Sequence, residues 1–131
     1  MSKNTNDNLL QQWRELESAH ASVRESLERA LEREHRLSLS EYEVLQRLSE
    51  QTDGQCRMQD LSSDSDLSQS ALSRLVGRLE AVGYVDRGVC EHDRRGVYAT
   101  LTKAGREAQV TAEPTYIEVL GTTLSSPGVA A

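Results

Sequence analysis

The chain has 131 residues, 37% of them hydrophobic, with one Trp, four Tyr, no Phe and a formal charge of −6. That length allows one domain with a modest core of Leu, Val and Ala, which burial against a partner would help. No run approaches the roughly 20 apolar residues of a membrane span. The polar start Met1 to Asn8 does not read as a signal peptide, and two cysteines argue against a disulfide framework, so a cytoplasmic protein is expected.

In chain order, Leu9, Trp13, Leu16, His20, Val23, Leu27 and Ala30 alternate spacings of four and three. This is the pattern of a seam between two helices, and it predicts a long first helix over about residues 8–36. His20 within the seam is either a pH- or ligand-sensing group or, the commoner case for a single interfacial His, a packed and hydrogen-bonded one. Glu25, Glu28, Arg29, Glu32, Arg33, Glu34 and Arg36 form a solvated charged face. Ser40 is expected to cap a second helix through Tyr42, Val44, Leu45 and Leu48 that ends near Asp53-Gly54. Gln55-Cys56-Arg57 reads as a short strand, Met58 to Ser63 as a short helix, and Asp64-Ser65-Asp66-Leu67 as the turn that follows.

The next helix is the best marked. Ser68 is a natural N-cap and Gly83 a natural C′ residue, while Leu72, Leu75, Val76 and Leu79 fall at i, i+3, i+4 and i+7. Its outer face carries Gln69, Ser70, Ser73, Arg74, Gly77 and Arg78. Such a face is the default of any amphipathic helix, but Arg and Gln can also make bidentate bonds to base edges in a major groove. Two period-2 runs follow, Val85-Arg87-Val89 and Val97-Ala99-Leu101, joined by Glu91-His92-Asp93-Arg94-Arg95-Gly96. A hairpin with adjacent arginines at its tip suits a wing entering the minor groove, with Asp93 holding Arg95 in one rotamer; the bland alternative is a surface ion pair. Between Ser68 and Arg106 seven Lys/Arg face four Asp/Glu, a local charge of +3 that leaves −9 for the rest. A basic face on an acidic body can orient docking onto DNA. The two acids of the turn before Ser68 would add repulsion there.

Thr102 is expected to cap a helix through Ala108 and Val110 that Pro114 interrupts or restarts. Tyr116, Ile117, Val119 and Leu120 follow, and residues 125–131 read as a tail.

The stretches Asp60-Leu61-Ser62, Leu67 through Val76, Leu79-Glu80-Ala81-Val82-Gly83-Tyr84-Val85, Asp93-Arg94-Arg95-Gly96-Val97-Tyr98 and Leu101-Thr102-Lys103-Ala104-Gly105-Arg106 resemble the winged helix-turn-helix regulators of the MarR family. The resemblance implies one mainly α-helical domain over 1–131 with a small β-hairpin or sheet. A dimerisation helix at about 8–36, a winged helix-turn-helix lobe at about 38–101 and C-terminal dimerisation helices at about 102–124 would compose it. It also implies a homodimeric repressor of nearby genes, bound as a double-stranded, pseudo-palindromic operator demands and released by a small molecule or by oxidation. On it, Ser68, Gln69, Ser70, Ser73, Arg74, Arg78, Asp93, Arg94 and Arg95 are the DNA-binding set. Leu9, Trp13, Leu16, His20, Tyr116, Ile117 and Leu120 are the dimerisation set.

An effector pocket between the dimerisation helices and the lobe would be lined by His35, Tyr42 and Tyr116, for each of which ordinary packing is the commoner role. Cys56 or Cys90 is a candidate thiol sensor, Cys90 for its place near a basic wing, set against the commoner inert thiol. A bridge between the two is not expected, because Cys56 belongs at the hairpin's base and Cys90 near its tip. His20, His35 and His92 have no metal-ligand spacing with the cysteines, and no phosphate-binding Gly-rich loop or nucleophile elbow is present, so no metal, cofactor or enzymatic activity is expected. The reading from a different class is a winged helix that binds another regulator protein in place of DNA. Arg74, Arg78 and Arg95 discriminate: one contiguous basic surface, with recognition helices about 34 Å apart in a dimer, favours DNA.

Overall fold

Side-chain caps at Ser38, Ser68 and Thr102 decide where three of the helices start. In the computed structural model, which describes residues 2–90 and 93–125, the elements are α1 (Ser2–His35), α2 (Leu39–Ser49), β1 (Gln55–Arg57), α3 (Met58–Ser63), α4 (Gln69–Ala81), β2 (Val85–Cys90), β3 (Asp93–Leu101) and α5 (Lys103–Leu124). The strands form one antiparallel sheet in the order β1-β3-β2. No described helix is long and apolar enough to cross a membrane.

α1 is longer than its seam predicts, beginning at Ser2, and ends at Arg36, which takes φ 56° and donates its N–H to the Glu32 carbonyl at 3.1 Å. That is a left-handed stop on a residue that carries a Cβ. α2 begins two residues earlier than expected. Ser38 and Ser40 both stand three residues before a Glu, and Ser38 is the cap: its hydroxyl accepts from Glu41 N at 3.0 Å while Glu41 Oε1 accepts from Ser38 N at 2.8 Å. Leu39, only 1% exposed, is thereby inside the first turn, and Leu37 and Tyr42 are both buried at the positions of a hydrophobic staple. α2 ends at Ser49, not at Asp53-Gly54; Gly54 (φ 68°) instead shapes the turn into β1, and its carbonyl accepts from Leu101 N at 2.8 Å.

α5 runs unbroken through Pro114, contrary to the expected interruption. Pro114 and Val110 both lie on the exposed side, where the carbonyl deprived of its partner faces water. Ala112 is buried before the proline, and the Tyr116 ring stacks on Tyr42 after it, centroids 4.6 Å apart, so both halves are held by packing. The tail beyond Ser125 lies outside the described residues.

The core gathers Leu27 and Leu31 of α1, Leu39, Tyr42, Leu45 and Leu48 of α2, Leu61 of α3, the four apolar residues of α4, and Val85, Ala99, Leu101 and Ala112. Most of it is supplied by residues 37–112. α1 joins only through its last third, where Glu28 Oε2 also accepts from Leu39 N at 3.3 Å. From Asn4 to Ser18 every residue of α1 is exposed, with Leu9 57%, Leu10 51%, Trp13 56% and Leu16 61% accessible.

Candidate nucleic-acid interface

α4 is built as its sequence predicts. Ser68 Oγ accepts from Ala71 N at 3.1 Å, and at the far end Gly83 (φ 84°) and Tyr84 return their N–H groups to the carbonyls of Glu80 and Leu79, a Schellman stop. Leu72, Leu75, Val76 and Leu79 are at most 2% exposed, so this helix cannot roll without opening the core. Ser68, Gln69, Ser70, Ser73, Arg74 and Arg78 are all exposed.

These residues are not equivalent. Arg74 makes no ion pair among the described residues, whereas Arg78 leans toward α2, its Nε 3.8 Å from Glu41 Oε2. Ser73, expected to face DNA, is engaged from inside the chain: Arg87 of β2 donates to its Oγ at 3.2 Å and to its carbonyl at 2.9 Å. Of the two acids in the turn before Ser68, Asp64 is paired, its Oδ2 3.3 Å from Arg47 of α2.

The hairpin differs from expectation at its tip. β3 starts at Asp93, so Asp93, Arg94 and Arg95 have strand backbone instead of belonging to the loop, and Cys90 pairs with Asp93 across a register shift that follows Val89. Glu91 and His92, and the side chains of Cys90, Asp93, Arg94 and Arg95, lie outside the described residues. Val89 and Val97 pair directly and remain exposed, a cross-strand contact that stiffens the hairpin.

Between α3, α4 and this hairpin opens a cleft of about 540 Å³, whose polar rim includes Arg57, Gln59, Ser62, Gln69 and Ser73. Arg57 spans its sheet side, with Nε donating to the Tyr98 hydroxyl at 3.0 Å. Sequence reasoning missed Arg57, Gln59 and Ser62, since a three-residue strand and a six-residue helix carry too few positions to show which way a side chain faces. It missed Arg87 as well, although a signal was present: Arg87 shares the face of β2 that buries Val85, where a charge needs a partner.

The dimerisation set divides. Leu9, Trp13, Leu16 and His20 are exposed along α1, and Ile117 is 55% exposed on α5. Tyr116 and Leu120, expected at the same interface, pack against this chain's own core, because α5 turns them toward α1 and α2. Within the effector set Tyr42 is buried, while His35, Tyr116 and Cys56 are half-buried. His35 Nε2 is bonded to Thr115 Oγ1 at 2.7 Å, and Tyr42 has no accessible surface, its hydroxyl facing Gln109 Nε2 at 3.4 Å. Burial pushes the Tyr42 and Tyr116 hydroxyls above the usual tyrosine range. Cys56, on β1 opposite Ala99, is also pushed up, first by burial and then by Asp60 and Asp64, the opposite of what a reactive thiolate needs.

The sequence model described as the MarR family matches residues 37–96. The structure is similar to the crystal structure of Sco3205, a MarR family transcriptional regulator from Streptomyces coelicolor in complex with DNA (30% identity, 88% of this chain and 72% of that one, TM-score 0.82). It is similar also to AbsC, a MarR family transcriptional regulator of the same organism (31% identity, 92% and 83%, TM-score 0.84). The helix-turn-helix-type transcriptional regulator YwhA of Bacillus subtilis is 36% identical over 55 residues, 42% of this chain; that match spans only 40% of YwhA.

Proposed function

This chain belongs to the MarR family, and on that footing we propose that it is a sequence-preferring, DNA-binding transcriptional regulator that works as a homodimer. The observation that carries the reading is α4, whose apolar side is locked in the core while Gln69, Ser70 and Arg74 stand exposed beside a hairpin. In this reading the first half of α4 enters the major groove. Gln69 and Arg74 meet base edges, Ser68 and Ser70 meet phosphate, and the tip carrying Arg94 and Arg95 reaches the flanking minor groove. Arg78, drawn to Glu41, is assigned to the lobe. The homodimer is supported by the apolar stripe of α1, which has no covering element among the described residues. Release by a small molecule is what the family resemblance implies.

The test is fluorescence anisotropy with the duplex upstream of the protein's own gene and a shuffled duplex, at two salt concentrations. Binding that prefers the first duplex and weakens with salt is expected, and Arg74→Ala should remove about 1–3 kcal/mol from the preferred duplex and less from the shuffled one. Absence of binding to any duplex at low salt would overturn the reading.

A further inference from the structure

A protein that reads two adjacent grooves must hold its helix and its wing at one angle. Here, beyond the core packing of Val85 on α4, one side chain ties the two elements on the outer side. Arg87 leaves the middle of β2 and lays its guanidinium along α4: NH1 donates to Ser73 Oγ at 3.2 Å, NH2 to the Ser73 carbonyl at 2.9 Å, and Nε lies 3.5 Å from Glu80 Oε1. Ser73, Gly77 and Glu80 are spaced i, i+4, i+7, so one strip of the helix receives the whole fork. A Cβ at Gly77 would just touch Arg87 NH2, at 3.4 Å, so a branched side chain there would reach into the guanidinium's place. The side chain of Arg87 is only 26% exposed, and its Nε is buried with no hydrogen-bond partner of its own.

We propose that Arg87 is a positioning residue for DNA recognition, clamping the hairpin to α4 without itself touching DNA. This rests on the DNA-binding reading above. Two of its nitrogens donate inward and the Glu80 carboxylate offsets its charge, so it is a poor phosphate contact. It is well placed as a strut between the recognition helix and the wing. The planar fork is what fits the strip; a lysine supplies one point charge and cannot reach Ser73 and Glu80 together.

The experiment compares wild type with Arg87→Met, Arg87→Lys and Gly77→Val in two measurements. One is amide hydrogen exchange of β2 and β3 in the free protein; the other is DNA affinity as a function of salt. Gly77→Val guards against a misfolded Arg87 variant, because it raises helix propensity while its methyls displace the guanidinium. All three variants should exchange faster in the hairpin and bind preferred DNA about tenfold more weakly, with the slope of log affinity against log salt unchanged. A slope reduced by about one unit in both Arg87 variants would make Arg87 a phosphate contact and overturn the proposal. Unchanged hairpin exchange would overturn it as well. Wild-type failure to bind any duplex would sink the DNA reading instead, while the exchange measurement would still decide whether the clamp exists.

Discussion

The first half of α1 and the whole of α4 are both amphipathic helices, yet they stand in opposite relation to the chain that carries them. α4 has its apolar side against the core and its polar side outward. α1, from Asn4 to Ser18, has its apolar stripe outward and none of the described residues covering it. An outward polar face on a fixed helix suits a hydrogen-bonding, charged partner such as a duplex. An outward apolar stripe suits another protein surface, and a second copy of the same stripe meets that need by symmetry. The lobe around α4 therefore has packing of its own, whereas the first half of α1 has none among the described residues.

The sharpest way to break this contrast is from inside the lobe. At Gly105 the first turn of α5 is pressed onto the Tyr84 backbone, and an added Cβ would fall on the Tyr84 carbonyl oxygen. Gly105→Ala should cost about 3 kcal/mol, read by urea denaturation, and the loss should be the same at every protein concentration. On the other side of the contrast, Leu16→Glu should leave the lobe folded and weaken self-association by about 2 kcal/mol. Trp13 is the chain's single tryptophan, so its emission should shift to the red when wild type is diluted and start red-shifted in the variant. A wild type that sediments as a monomer at micromolar concentration would remove the contrast altogether. The smallest effect is expected at the boundary of the two regions: Arg36→Gly relieves a left-handed residue and should raise the melting temperature by an amount equivalent to about 0.5–1 kcal/mol.

Features written in short local patterns were legible in the sequence. Ser68 and Gly83 bracket α4, and Met58–Ser63 is α3 as the pattern requires, because a cap, a left-handed glycine and an apolar repeat are properties of neighbours in sequence. Ser38 and Ser40 were locally ambiguous, each with a Glu three residues on, and burial of Leu39 decides between them. Pro114 reads as a break because the sequence does not show that Ala112 and Tyr116 anchor the helix on both sides of it. Within the site, the exposed residues of α4 were legible by period alone. The engagement of Ser73 was not, since its partner Arg87 lies 14 residues away on another element. The stacking of Tyr116 on Tyr42 was not legible for the same reason, since the two rings lie on different elements.

Thr102 ties the end of α4 to the start of α5 in a single residue. Its hydroxyl donates to the Gly83 carbonyl at 2.6 Å while accepting from Gly105 N at 3.0 Å, and its own N–H reaches the Tyr84 carbonyl at 3.1 Å. The last turn of α4 and the first turn of α5 thus share one rivet, with Gly105 leaving no slack beside it. The tilt of α5 and the position of the foot of α4 are therefore set together, and a change in one has to be met at the end of the other.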